Sequence, residues 1–96
     1  MRSQDPGTRN LVILFECDPG VRIQFAPSGR GRVEIAVYSV RGERVKTLYS
    51  GQPGTAPVAL RWNGDNERDA EVATGMYFIV AREGERAATR KVVLQR

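Results

Sequence analysis

No histidine occurs anywhere in this sequence, and Cys17 is its only cysteine. The first absence removes the commonest general base, so Ser-His-Asp and Cys-His catalysis are excluded within one chain. The two absences together exclude an internal disulfide and a Cys/His metal cluster. Cys17 reads as a buried or simply free thiol, with pairing between chains as the alternative. Lysine is scarce too: Lys46 and Lys91 are the only two among 15 basic residues. Long hydrophobic runs are missing. The longest, Leu11 to Phe15, falls far short of the roughly 20 residues that cross a bilayer. It is also short for a signal-peptide core and has no clean cleavage site after it. An exported protein that begins this way takes its signal from elsewhere, as the end of a longer precursor or by another route.

What is present is ordinary for a folded domain. Hydrophobic residues make up 41% and charged residues 27% of 96 residues, which argues against disorder and supplies one modest core rather than two. Ten glycines and five prolines separate short apolar runs, the punctuation of many turns and few helices. The net charge of +4 fits an acidic or phosphate-bearing partner. Acidic residues such as Glu34, Glu43 and Glu67 are interspersed with the basic ones, however, and that argues against nucleic-acid binding.

Along the chain, residues 1–10 are polar around Pro6-Gly7 and read as a flexible lead or linker, leaving 11–96 as a single domain. Leu11 to Glu16 is a continuous apolar stretch, which suits a strand covered on both faces. A turn is expected at Asp18-Pro19-Gly20. Val21, Ile23 and Phe25 then alternate with Arg22 and Gln24, the pattern of a half-buried antiparallel strand. Pro27-Ser28-Gly29 interrupts it, and Arg32 to Ser39 alternates again with Val33, Ile35 and Val37 inward.

Val40-Arg41-Gly42-Glu43 reads as a tight hairpin with Gly42 supplying a positive φ. In the next strand, Arg44 to Ser50, Val45 and Leu48 lie three apart, and a β-bulge near Lys46-Thr47 reconciles them with one face. After a Gly/Pro-rich loop, Val58, Leu60 and Trp62 form another inward face. Gly75 opens a strand, Met76 to Ala81, that is apolar on both faces and therefore central. Arg82 to Glu85 turns the chain into a last strand, Arg86 to Gln95. Seven short strands with no helical period predict an all-β, Ig-like antiparallel sandwich.

Four blocks in order carry a family resemblance: Val37-Tyr38-Ser39 with Gly42 and Val45, Trp62-Asn63-Gly64, Gly75-Met76-Tyr77, and Lys91-Val92-Val93. They resemble the Ig-like module of the flagellar hook-capping protein. They are still more similar to the C-terminal sorting domains of bacterial type IX secretion cargo. The resemblance covers residues 31 to 96. Ser39 stands where the family often has Asp, Glu43 where Arg is common, and the usual Pro-Asn-Pro stretch ahead of the first strand is not visible. Most of the matching residues have structural roles of their own. Trp62 reads as a core anchor, Tyr77 as a tyrosine corner bonding a loop carbonyl, and Gly42, Gly64 and Gly75 as turn or close-approach glycines.

Lys91 is different, because an ammonium among apolar neighbours is not required for packing. The resemblance makes it a candidate recognition residue, set against an outward-facing lysine that protects an edge strand from aggregation. One further pattern involves possible metal ligands. Oxygen-bearing Asn63, Asp65, Glu67 and Asp69 alternate as in a calcium loop. Arg68 stands where an EF-hand needs glycine, no helix flanks the segment, and Asx-turn chemistry accounts for the composition. No cofactor is called for.

The leading reading, implied by the resemblance, is a non-catalytic sorting and attachment module at the C-terminus of a secreted or cell-surface bacterial protein. Its partners would be proteins of the secretion or anchoring machinery, met by one folded surface that includes the last two strands. Neither nucleic-acid binding nor membrane insertion is expected. The alternative is a structural subunit of an extracellular filament, where Leu11, Val12, Ile13, Leu14 and Phe15 complete a neighbour's sheet by strand addition and make a homo-oligomer. A small sugar- or protein-binding module using Tyr38 or Tyr49 is a third reading. Asp65 and Asp69 as a catalytic carboxylate pair is the weakest.

Overall fold

The alternation written into the sequence becomes seven strands. The computed structural model describes residues 11–17 and 20–95, leaving aside the side chains of 14–17. The strands are β1 (Leu11–Cys17), β2 (Gly20–Phe25), β3 (Val33–Ser39), β4 (Arg44–Gly51), β5 (Val58–Trp62), β6 (Gly75–Glu83) and β7 (Arg86–Leu94). They form two antiparallel sheets, ordered β1-β2-β5 and β4-β3-β6-β7, packed as an Ig-like sandwich with no helix among the described residues. The expected lead at 1–10, Asp18 and Pro19 of the expected turn, and the side chains of Leu14, Phe15 and Cys17 lie outside the described residues.

Period-two parity decides what is inside. Val21, Ile23 and Phe25 of β2 and Val33, Ile35 and Val37 of β3 are each at most 3% exposed. They meet Trp62, Ile79 and Val92 in one cluster between the sheets. Each such side chain contributes about 1.5–3 kcal/mol by leaving water. Trp62 is fully buried, donates from Nε1 to the Asp65 carbonyl at 2.8 Å, and meets the Tyr77 ring edge-on with centroids 5.2 Å apart. The Tyr77 hydroxyl donates to the Ala73 carbonyl at 2.6 Å, the corner expected from the sequence.

β4 follows β3 through the short hairpin and stays on the same sheet. In the constant-type Ig arrangement, by contrast, the fourth strand joins the first, second and fifth. The hairpin is held by its own groups: Gly42 has φ 85°, and the Ser39 hydroxyl accepts from the Arg41 and Glu43 amides. The bulge expected near Lys46-Thr47 is instead a pair flanking it. The register skips Val45 opposite Val37/Tyr38 and Leu48 opposite Ile35/Ala36, and both skipped residues pack against the core. One bulge shifts a strand's parity once. Two are needed to bring in both Val45 and Leu48 and return the strand to register.

β1 corrects a second expectation. Its backbone pairs with β2 only, so it is an edge strand, and Val12 is 43% exposed rather than covered. Its register also shifts between Ile13 and Phe15, a common device at sheet edges. The sandwich closes along two seams, where β1 meets β7 and β4 meets β5.

Candidate functional site

β6 lies between β3 and β7, and its parity gives it two faces of different character. Tyr77, Ile79, Ala81 and Glu83 turn inward and are buried. Met76, Phe78, Val80 and Arg82 turn outward, where no other layer of the described chain covers them. Residues directly opposite in an antiparallel sheet share a face, so the registers write that outer surface as rows. Met76 lies beside Val93; Arg44, Tyr38, Phe78 and Lys91 cross the whole sheet in the next row. Below them run Thr47, Ala36, Val80 and Thr89, and then Ser50, Glu34, Arg82 and Ala87.

Of the four large apolar side chains left in water among the described residues, two stand side by side on this face. Met76 and Val93 are 42% and 47% exposed on this face, and Val40, one residue beyond the Ser39–Tyr77 pair, is 66% exposed. The fourth, Val12, lies round the edge of β7. There it joins Ile13, Arg90 and Lys91 in an open groove of about 470 Å³. Arg90 Nε donates to the Leu11 carbonyl at 2.7 Å and ties the two edge strands together at that groove. Lys91 lies at the junction of face and groove.

The structure thus brings together two groups of residues that the sequence singled out separately. Lys91 is exposed on an edge strand, cross-strand from Phe78, and it shares a groove with Val12 and Ile13. Leu11 is fully buried in the core. Leu14 and Phe15 are placed by backbone only. Tyr38 is half-buried in the aromatic row, and Tyr49 packs against the core cluster.

The charges around the face are unbalanced. Arg44 lies 3.8 Å from Glu34 and 4.0 Å from Glu67, a half-exposed arrangement that contributes little. Lys91 and Arg82 make no ion pair among the described residues. Among the described residues, Arg44, Arg82 and Lys91 therefore border this surface against Glu34 and Glu67.

Asn63, Asp65, Glu67 and Asp69 are not brought to a common point. Lys46 Nζ sits between Asp65 at 2.6 Å and Asp69 at 3.2 Å. Its hydrogen bond to Asp65, with help from Asp69 and against some desolvation, raises the ammonium above its ordinary 10.5. Glu67 instead accepts from the Thr47 amide, and Asn63 accepts from Arg61. The described residues contain no group of three or more side chains placed to hold a metal ion. The Asx chemistry belongs to Asn66, whose Oδ1 accepts from the Arg68 and Ala70 amides, with Asp69 held at φ 62°.

Sequence reasoning missed Glu83, the one buried charged residue among those described. Its carboxylate accepts from the Ser28, Gly29 and Arg30 amides at 3.0 Å and from the Ser28 hydroxyl at 3.1 Å. Gly29 and Gly31 take positive φ and shape this nest of consecutive N–H groups. Burial pushes the carboxyl up, yet the bonds from Ser28, Arg30 and Gly29 together outweigh it and hold Glu83 below 4.5. The signal was parity: Glu83 stands two residues beyond Ala81 on the inward side.

No family model, curated protein or solved structure matches the chain.

Proposed function

We propose that this chain is a non-catalytic Ig-like module that sorts or attaches a secreted or cell-surface bacterial protein, as its resemblance to type IX sorting domains implies. It works by docking one folded surface on a protein of the export or anchoring machinery. The observation that carries the reading is the uncovered outer face of β6 and β7, where Met76 and Val93 stand in water beside Lys91. Large apolar side chains grouped on one surface mark interaction sites more often than they mark chance. The Ser39 hydroxyl accepts from two turn amides, bonds that an aspartate at this position can also accept.

The test is the intact mass and cellular fraction of every native polypeptide recognised by an antibody to this domain. A large cell-associated precursor, with a secreted product lacking the epitope, supports a cleaved sorting module. A 10.7 kDa species sedimenting with surface polymers overturns it in favour of a filament subunit. One observation favours that second reading: β1 bonds a single neighbour and is the first strand of the described chain, so it can be exchanged while the other strand pairings stay in place. Deleting residues 1–16 decides its role. A chain that relies on its own β1 unfolds, whereas a donor of β1 stays folded and no longer polymerises.

A further inference from the structure

We infer that the outer face of the β4-β3-β6-β7 sheet receives an acidic-flanked apolar segment of another protein, laid across Met76, Phe78 and Val93 with a carboxylate against Lys91. This rests on the reading that the face docks a protein, and it names the chemistry of the partner.

Three observations fix that chemistry. The row Met76–Val93 offers apolar area that the fold does not use, and Val40, one residue past the last β3–β6 pair, is exposed as well. The next row places an aromatic pair, Tyr38 and Phe78, between the cations Arg44 and Lys91. Among the described residues, Glu34 lies 3.8 Å from Arg44 and directly cross-strand from Arg82, and Glu67 lies 4.0 Å from Arg44, whereas Lys91 stands opposite Phe78, which leaves Lys91 for a partner.

Charge also selects against other occupants. A second copy stacked on the same face sets one net positive surface against another, and like charges in juxtaposition are a penalty. The chain's own residues 1–10, Met-Arg-Ser-Gln-Asp-Pro-Gly-Thr-Arg-Asn, carry two arginines against one aspartate and no apolar row. A membrane gains only about 1 kcal/mol per basic residue near its surface, and one lysine clear of a carboxylate on a flat sheet gives it little purchase.

The probe is a library of random peptides displayed on phage and selected against the full chain. Amide shift changes are then mapped with the best synthetic peptide. The expected result is a selected set that pairs Asp or Glu with aromatic or aliphatic residues and perturbs the amides of β6 and β7. Lys91→Glu, an exposed substitution whose fold is checked by circular dichroism, weakens that peptide by about tenfold or more. Replacing the peptide's acidic residue with lysine restores affinity for Lys91→Glu, as a direct charge pair requires.

Peptides without acidic residues, or shifts confined to another surface, overturn the inference. So does binding to phosphatidylserine-containing vesicles through this face, or self-association through it in sedimentation equilibrium. Failure here is distinct from failure of the sorting reading. A domain that selects acidic peptides but never occurs in a larger precursor keeps this inference and loses that one. A cleaved precursor whose domain selects neutral peptides does the reverse.

Discussion

The two faces of β6 share one backbone and divide the molecule's purposes between them. Inward, Tyr77, Ile79, Ala81 and Glu83 are at most 8% exposed, and each has a partner in the sandwich or its loops. Outward, Met76, Phe78 and Val80 are as apolar as their inward neighbours but remain partly in water. Burial in the core accounts for the first set, since removing that surface from water stabilises the fold. It does not account for the second. A strand central in its sheet needs hydrogen-bonding neighbours on both sides, not apolar groups on both faces. The difference separates what a sequence spends on folding from what it offers to something outside.

The comparison breaks most severely at the inner face. Trp62→Ala empties the largest fully buried side chain and removes both the edge contact with Tyr77 and the bond to Asp65. A loss of about 3–5 kcal/mol is expected in urea unfolding. Phe78→Ala on the outer face should fall well below that figure; equal losses would sink the distinction between the faces.

Glu83→Gln comes next. Three backbone amides and a hydroxyl now face a side chain with half its accepting capacity, and the loss expected is about 2–3 kcal/mol. Because the folded carboxyl is held below 4.5, its contribution is present in full above that pH and is lost as pH falls through the lowered folded value. The stability gap between wild type and Glu83→Gln should therefore narrow on acidification below pH 4.5. A gap that stays constant into strong acid would show that the carboxylate is not what holds the loop. Ser39→Ala is smaller, about 1 kcal/mol, from two amide bonds in an exposed hairpin. Ser39→Asp should keep that stability, since a carboxylate accepts the same two bonds.

Period-two alternation made most of the fold legible. It located β2, β3 and β5 almost to the residue, and turn chemistry located the hairpin at Gly42. Where the text misled, pairing between distant segments was the cause. The double bulge in β4 depends on the register with β3, which Val45 and Leu48 hint at only by their spacing. The apolar run Leu11 to Phe15 looks like a covered strand, but its place at the sheet's edge is set by which strands lie beside it. Lys91 and Val12 share a groove although 79 residues separate their chain neighbours Arg90 and Leu11, which bond each other there, and no local pattern carries that proximity. Glu83 was readable by parity alone; its partners at 28–30 were not, because a nest of amides has no side-chain signature.

Val93→Thr has the smallest expected effect on folding and most sharply tests the comparison. Val93 is 47% exposed, and threonine keeps the β-branched shape that suits a strand. Its stability should stay within about 0.5 kcal/mol of wild type, as for surface substitutions away from special features. The hydroxyl nonetheless places a polar group in the centre of the apolar row beside Met76. If that row is a contact surface, binding of the selected peptide weakens while the unfolding midpoint does not move. An unfolding midpoint that falls instead would mean that Val93 serves the sandwich after all, and that the outer face of β6 and β7 belongs to folding as much as the inner one does.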